Sequence, residues 1–179
     1  QEFAQRALNL VMEKQPKNLA ELMALPYDDG TVQDNLGNLS GVIGEKLAIK
    51  RYDVLNSGGT VAAYSHAGGK IGVLAALDKE GQSDIAYDAA MQIAAANPKY
   101  IAPENVAAEE ITKEKEIYRA QLLKEGKPEN MIEKIMPGKL AKYYEEVCLT
   151  KQEYIKDDSK RVEDILGGVK VEKFIRYSL

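Results

Sequence analysis

His66 and Cys148 are the only imidazole and the only thiol in this sequence. The histidine lies in "YSHAGGKIGVLAALD", Tyr64 to Asp78, two residues before Gly68-Gly69. Metal coordination would need three or four converging ligands, which one His and one Cys do not supply in the usual zinc patterns. General acid–base work would need a partner group within hydrogen-bond reach, and spacing places none near His66. No Ser/His/Asp or Cys/His arrangement has spacing support, and neither GxxxxGK[ST] nor GxGxxG occurs. Two readings of His66 remain. One is a turn residue whose ring is satisfied locally; the other is a flat, hydrogen-bonding contact presented to a partner.

The elements that must hold such a ring are legible in pattern. "TVAAY" and "KIGVLAALD" are β-prone runs joined by Ser65 to Gly69, and Ile71, Val73, Ala75 and Leu77 recur with period two. That predicts a hairpin with a buried face, and Gly68 and Gly69 permit positive φ in its turn. Tyr64, Ile71 and Leu74 read as core.

At 179 residues, 45% hydrophobic and 29% charged, the composition is that of a globular chain with a real core. No apolar run approaches the roughly 20 residues a membrane helix needs, and no basic-then-apolar secretory start is present. A net charge of −4 argues against nucleic-acid binding through bulk charge. One cysteine cannot form an internal disulfide, which fits a reducing compartment. No cofactor is expected.

The sequence also repeats. Setting Glu2 against Asp84 aligns "EFAQRALNLVMEKQPKNLAE" with "DIAYDAAMQIAAANPKYIAP". Ala4 meets Ala86, Ala7 meets Ala89, and Pro16-Lys17 meets Pro98-Lys99. Both copies predict a helix that stops before its proline. A second echo, in the same order, pairs "AIKRYDVL" (Ala48 to Leu55) with "KFIRYSL" (Lys173 to Leu179), both β-prone. The paired arginines Arg51 and Arg176 are expected to form ion pairs across their sheets. The hairpin before the second helix has no counterpart before Gln1, so strands packing on the first helix are expected to be missing. An edge left open in that way could pair two chains, and a homodimer is left open.

Between the repeat pieces lies a mixed-charge insertion. Ala107, Ile111, Tyr118 and Leu122 form one stripe; Ile132, Ile135, Met136, Leu140, Tyr143, Tyr144 and Val147 form another. Two helices of about 20 residues would make an antiparallel coiled-coil arm roughly 30 Å long. Pro137-Gly138 is expected to kink or shorten the second. A helical hairpin packed back on the core is the other reading.

The fold expected is α+β: two related subdomains with small antiparallel sheets covered by helices, plus the inserted helical hairpin. Residues 1–56 form an incomplete first subdomain, 57–103 with 146–179 the second, and 104–145 the insertion.

Several ordered motifs carry a resemblance over nearly the whole chain. They are "GVIGEKLAIKRYDVL" (Gly41 to Leu55), "YSHAGGKIGVL" (Tyr64 to Leu74), "NPKYIAPENV" (Asn97 to Val106) and "GKPENMIEKIMPGKLAKYYEEVCL" (Gly126 to Leu149), with "FIRYSL" closing. In these the chain resembles the core of the elongation factor Ts family, the guanine-nucleotide exchange partners of elongation factor Tu. The resemblance implies an exchange factor without covalent chemistry, not an enzyme. It would bind elongation factor Tu with GDP or empty, and promote exchange of GDP for GTP by disturbing the phosphate and magnesium side of the nucleotide site. The family's small N-terminal helical domain and its Thr-Asp-Phe-Val motif, which precedes the helix starting here at "EFAQRALNL", are not in this sequence. Because that motif's Asp-Phe pair disturbs the magnesium site, its absence implies weaker exchange.

The resemblance also assigns contacts. His66 matches the family's Tyr-x-His position, against the nucleotide-binding domain. Ile43 matches a contact to the same domain, although its helical spacing with Val32, Leu36 and Leu39 equally suits a core residue. Tyr154 and Ile155 match a loop whose apolar residues touch a β-domain of elongation factor Tu; Lys156 stands where some relatives are apolar. The expected compartment is the cytoplasm, with an organellar stroma or matrix left open. An adaptor using the helical arm without altering nucleotide affinity is the alternative, and an enzyme with His66 as acid–base group is a weaker one.

Overall fold

The computed structural model describes residues 2–179 and divides into two compact units, the first ending at Val54 and the second spanning Leu55–Leu179. The architecture is α+β.

In the first unit, α1 (Glu2–Lys14) buries Ala7 and Val11, one turn apart, and ends where Gln15 adopts a φ of 48° ahead of Pro16. α2 (Leu19–Ala24) starts at Asn18, whose side-chain oxygen accepts the Glu21 N–H at 3.0 Å. A short ladder of β1 (Pro26–Tyr27) and β2 (Gly30–Thr31) leads into α3 (Val32–Ile43). There Thr31 and Asp34 cap reciprocally: the Asp34 N–H donates to Thr31 Oγ1 at 3.2 Å and the Thr31 N–H to Asp34 Oδ2 at 3.0 Å. Gly44 closes α3 with a φ of 76°, a conformation that favours glycine.

The second unit is built on a sheet of order β3-β4-β7, antiparallel throughout: β3 (Val61–His66), β4 (Ile71–Leu77) and β7 (Val171–Ser178). The expected hairpin is present, and Val73, Ala75 and Leu77 face the core as the alternation required. α4 (Ser83–Ala96) covers that face with Ala86, Ala89, Ala90, Ile93 and Ala94, small residues that admit close helix–sheet packing. Gly59 sits where the chain passes under the end of β4: a Cβ there would lie 2.1 Å from the Leu77 carbonyl oxygen. Thr60 donates its N–H to the Lys79 carbonyl at 3.0 Å and accepts from Leu77 at 2.8 Å on the same crossing. Tyr64, Ile71 and Leu74 are partly buried, the first two packing against the core.

α5 (Ala108–Lys124) and α6 (Glu129–Val147) form the inserted hairpin. Their contacts run antiparallel: Tyr143 on α6 bonds Glu110 on α5, Lys139 lies over Tyr118, and Glu129 pairs with Arg119. Of the two effects expected at Pro137, shortening does not occur: α6 runs through it, with Ile132, Tyr143 and Val147 buried on both sides of the missing N–H. At the base, Leu149 and Thr150 donate to the carbonyls of Tyr100 and Ile101 at 2.9 Å each, stitching the hairpin's two ends together. The Glu110 carboxylate accepts from both Tyr100 and Tyr143 there, and these bonds hold it below the ordinary carboxylate range.

β5 (Glu153–Tyr154), β6 (Asp157–Arg161) and α7 (Val162–Leu166) complete the unit. They repeat the first unit's design, an echo that sequence alignment by identity passes over. Tyr27 and Tyr154, Val32 and Val162, Leu36 and Leu166 are all buried. Val32 donates to the Leu25 carbonyl and Val162 to the Gln152 carbonyl, each at 3.0 Å and each two residues before its tyrosine. The aligned helices share their ending too: Gln15 and Asn97 both have a φ of 48°.

The copies also differ. Among the described residues of the first unit the only ladder is β1-β2, and "AIKRYDVL" is irregular where its echo forms β7. A β-prone run acquires strand geometry only from a neighbour that takes its backbone hydrogen bonds. Arg176 does not make the expected ion pair; it donates to the Ala94 carbonyl at 3.3 Å, in the last turn of α4, where a cation suits the helix dipole.

Candidate partner-binding site

His66 ends β3, exposed, with Ile71 opposite it in register. Ala67, Gly68 and Gly69 then turn through φ values of 53°, 67° and 91°. The ring is supported from behind. Tyr64, two residues back on the same face, stacks on it at 5.9 Å between centroids, and its hydroxyl lies 3.1 Å from Nδ1. Tyr87 on α4 meets Tyr64 edge-on at 5.5 Å. The Tyr64–Nδ1 contact occupies one ring nitrogen and leaves Nε2 for another partner. Sequence reasoning missed Tyr87, an aromatic on α4 that is 48% exposed.

Tyr154 ends β5, and Ile155 and Lys156 form the turn into β6; the three residues have different fates. Ile155 is 44% exposed, whereas Tyr154 is only 7% exposed. Tyr154 donates its hydroxyl to Asp88 Oδ2 at 2.6 Å, and Lys156 donates to Oδ1 of the same carboxylate at 2.6 Å. Burial acts to raise the Asp88 carboxyl, but the hydrogen bonds from Lys156 and Tyr154 outweigh it and hold Asp88 below its ordinary value. The same contact raises Lys156, and burial followed by Asp88 raises the Tyr154 phenol. Gln92, one turn further along α4 and 1% exposed, accepts the Ile155 N–H at 2.9 Å and donates to the Glu153 carbonyl at 3.1 Å.

Ile43 lies in the first unit at the end of α3. Val32 and Leu36 of its stripe are buried, but Ile43 is 51% exposed and Val42 beside it 85%, so the core reading gives way to a presented side chain. Within the second unit, His66 and the Tyr154–Lys156 turn both lean on α4, through Tyr87 and through Asp88 with Gln92.

The arrangement suits recognition by surface. Among the described residues, no group of three or more His, Cys, Asp or Glu converges as a metal site would. Cys148 is fully buried and its thiol is pushed up to about 11 by burial, chiefly, so it is no nucleophile at neutral pH. Among the described residues no helix is long and apolar enough to cross a membrane.

The sequence matches the family model described as Elongation factor TS across residues 1–179. The chain belongs to the elongation factor Ts family. It is 40% identical, over 98% of its length, to the Elongation factor Ts of Clostridium perfringens strain SM101, and 42% identical, over 94%, to that of Trichlorobacter lovleyi. That of Prosthecochloris aestuarii is 39% identical over 99% of the chain. The chain spans 62%, 58% and 67% of the lengths of these three elongation factor Ts relatives.

Proposed function

We propose that this chain is the partner-recognising core of a translation elongation factor that binds elongation factor Tu and promotes its exchange of GDP for GTP, in the cytoplasm. The observation that carries this reading is His66: an exposed ring at the tip of a hydrogen-bonded hairpin, backed by Tyr64 and Tyr87, at the Tyr-x-His position of an elongation factor Ts sequence. His66 and Ile43 contact the nucleotide-binding domain. Ile155 contacts a β-domain, with Tyr154 and Lys156 as its supports.

No covalent bond changes in nucleotide exchange. The factor acts by binding the empty GTPase more tightly than the occupied one, and linkage then requires it to weaken nucleotide affinity by the same ratio. Equal affinity for both states would shift nothing. What the chain must supply is apolar anchors and directed polar groups on rigid supports, placed so that the phosphate and magnesium side of the nucleotide site is disturbed.

The test is release of fluorescently labelled GDP from elongation factor Tu, with and without this chain, and with a longer chain carrying the Thr-Asp-Phe-Val segment. Accelerated release supports the reading. Tight binding with an unchanged release rate for both chains assigns the protein to the adaptor class instead.

A further inference from the structure

The turn that carries Ile155 is held far more firmly than an exposed loop requires. Gln92 uses one buried side-chain amide to take the Glu153 carbonyl at 3.1 Å and the Ile155 N–H at 2.9 Å, the two backbone groups that flank Tyr154. That is the pattern a neighbouring β-strand would supply, delivered by a helix side chain. Gln152, itself buried, accepts from the same amide at 3.3 Å and thereby fixes its orientation. One turn away on α4, Asp88 takes Tyr154 on one oxygen and Lys156 on the other. Both residues flanking Ile155 are tied to α4 through their side chains, while the Ile155 side chain has no such tie and is exposed.

The duplicated unit provides an internal comparison. Gln92 aligns with Leu10 and Asp88 with Arg6. In the first unit Arg6 also grips its loop, through Asp28 at 3.0 and 2.5 Å, but Leu10 has no amide to offer; the bridging amide there is Asn35 on α3, which donates to the Tyr27 and Thr31 carbonyls at 2.7 and 3.0 Å. The residues after Tyr27 are Asp28 and Asp29, with no apolar side chain. The copy that presents an isoleucine is clamped from the helix on its sheet, on both a carbonyl and the N–H of the isoleucine itself, whereas Asn35 takes carbonyls alone.

We propose that Gln92 and Asp88 are positioning residues that pre-organise Ile155 as an apolar anchor for a shallow hydrophobic pocket on the GTPase partner. This rests on the reading of the Ile155 turn as a contact. Holding the anchor in its bound geometry removes the ordering cost that a free loop would meet on association.

The test is a binding cycle on the full 179-residue chain against immobilised elongation factor Tu stripped of nucleotide. Ile155→Ala is expected to weaken binding about tenfold. Gln92→Leu, which installs the residue of the first copy, is expected to weaken it about three- to tenfold. In combination with Ile155→Ala it should add no more than about twofold, since a clamp with nothing to present has no effect on binding. Fully additive losses, or parental affinity in Gln92→Leu, overturn the proposal. Parental affinity in Ile155→Ala removes the contact reading itself, and no binding by the unchanged chain removes the proposed function. Should Gln92→Leu not fold, Asp88→Ala at the more open end of the clasp serves in the same cycle. Hydrogen exchange at the Ile155 amide reads the clamp without any partner: slow exchange in the parent and fast exchange in Gln92→Leu support it, and fast exchange in both overturns it.

Discussion

At His66 the sequence showed which residue stands at the hairpin tip, and the structure shows how little else the ring does for the fold. It is exposed, and its visible partner is Tyr64 in its own strand. His66→Ala is therefore expected to leave unfolding by heat within about 0.5 kcal/mol of the parent while slowing stimulated GDP release about tenfold. Calorimetry beside the release assay checks both halves, and equal loss in both would mark the ring as structural. Four of the five residues assigned by resemblance, His66, Ile43, Ile155 and Lys156, are exposed to solvent. Tyr154, which next to Ile155 in so polar a stretch reads as one more apolar contact, is buried and bonded to Asp88. Nothing local in the sequence shows that a carboxylate 66 residues earlier, Asp88, will receive its hydroxyl. Gln92 was invisible for the same reason, since a glutamine on a helix is ordinarily a solvated face.

α4 links these local devices. Its buried face of Ala86, Ala89, Ala90, Ile93 and Ala94 seats it on the sheet, while Tyr87, Asp88 and Gln92 brace the two candidate contacts of this unit. The frame beneath it depends on Gly59, where any Cβ would collide with the backbone at Leu77 to Lys79. Gly59→Ala is expected to cost about 2–3 kcal/mol, read as a lower urea midpoint with an unchanged slope. At the root of the helical hairpin, Tyr143→Phe removes a 2.5 Å donor to Glu110 and should cost about 1.5 kcal/mol, seen first as faster hydrogen exchange in α5 and α6. These elements were mostly legible from period and punctuation: period two for β4, helical spacing for α1, α4, α5 and α6, and stops before Pro16 and Pro98. What failed depended on distant neighbours. "AIKRYDVL" has strand composition without a strand, and α6 continues past Pro137 where a local rule allowed it to end.

Over the whole molecule, burial sets a clear pH response. The Cys148 thiol is raised by burial from 9.0 to about 11, and the phenols of Tyr118, Tyr143 and Tyr154 are raised by burial too. Groups raised in the folded state hold their protons more tightly there than when unfolded, so their contribution is complete below pH 9 and falls as pH climbs. The thiol alone accounts for about 2–3 kcal/mol between pH 9 and 11. Urea titrations at pH 7 and pH 11 should show that loss, and Cys148→Ser should remove the thiol's share of it while leaving that of the phenols. Asp34, Asp88, Glu110 and Asp157 are all depressed, so their contribution is complete above about pH 4 and disappears on further acidification. One further consequence comes from the aligned pair Arg6 and Asp88. Each reaches the loop after its own buried tyrosine, Arg6 to Asp28 and Asp88 to Lys156, with the polarity reversed between copies. In a duplicated chain each half is the other's most plausible decoy while folding. A helix laid on the wrong loop would bring Arg6 against Lys156, or Asp88 against Asp28, and be repelled. Reversed polarity lets the two halves keep a common ancestry of shape without becoming interchangeable.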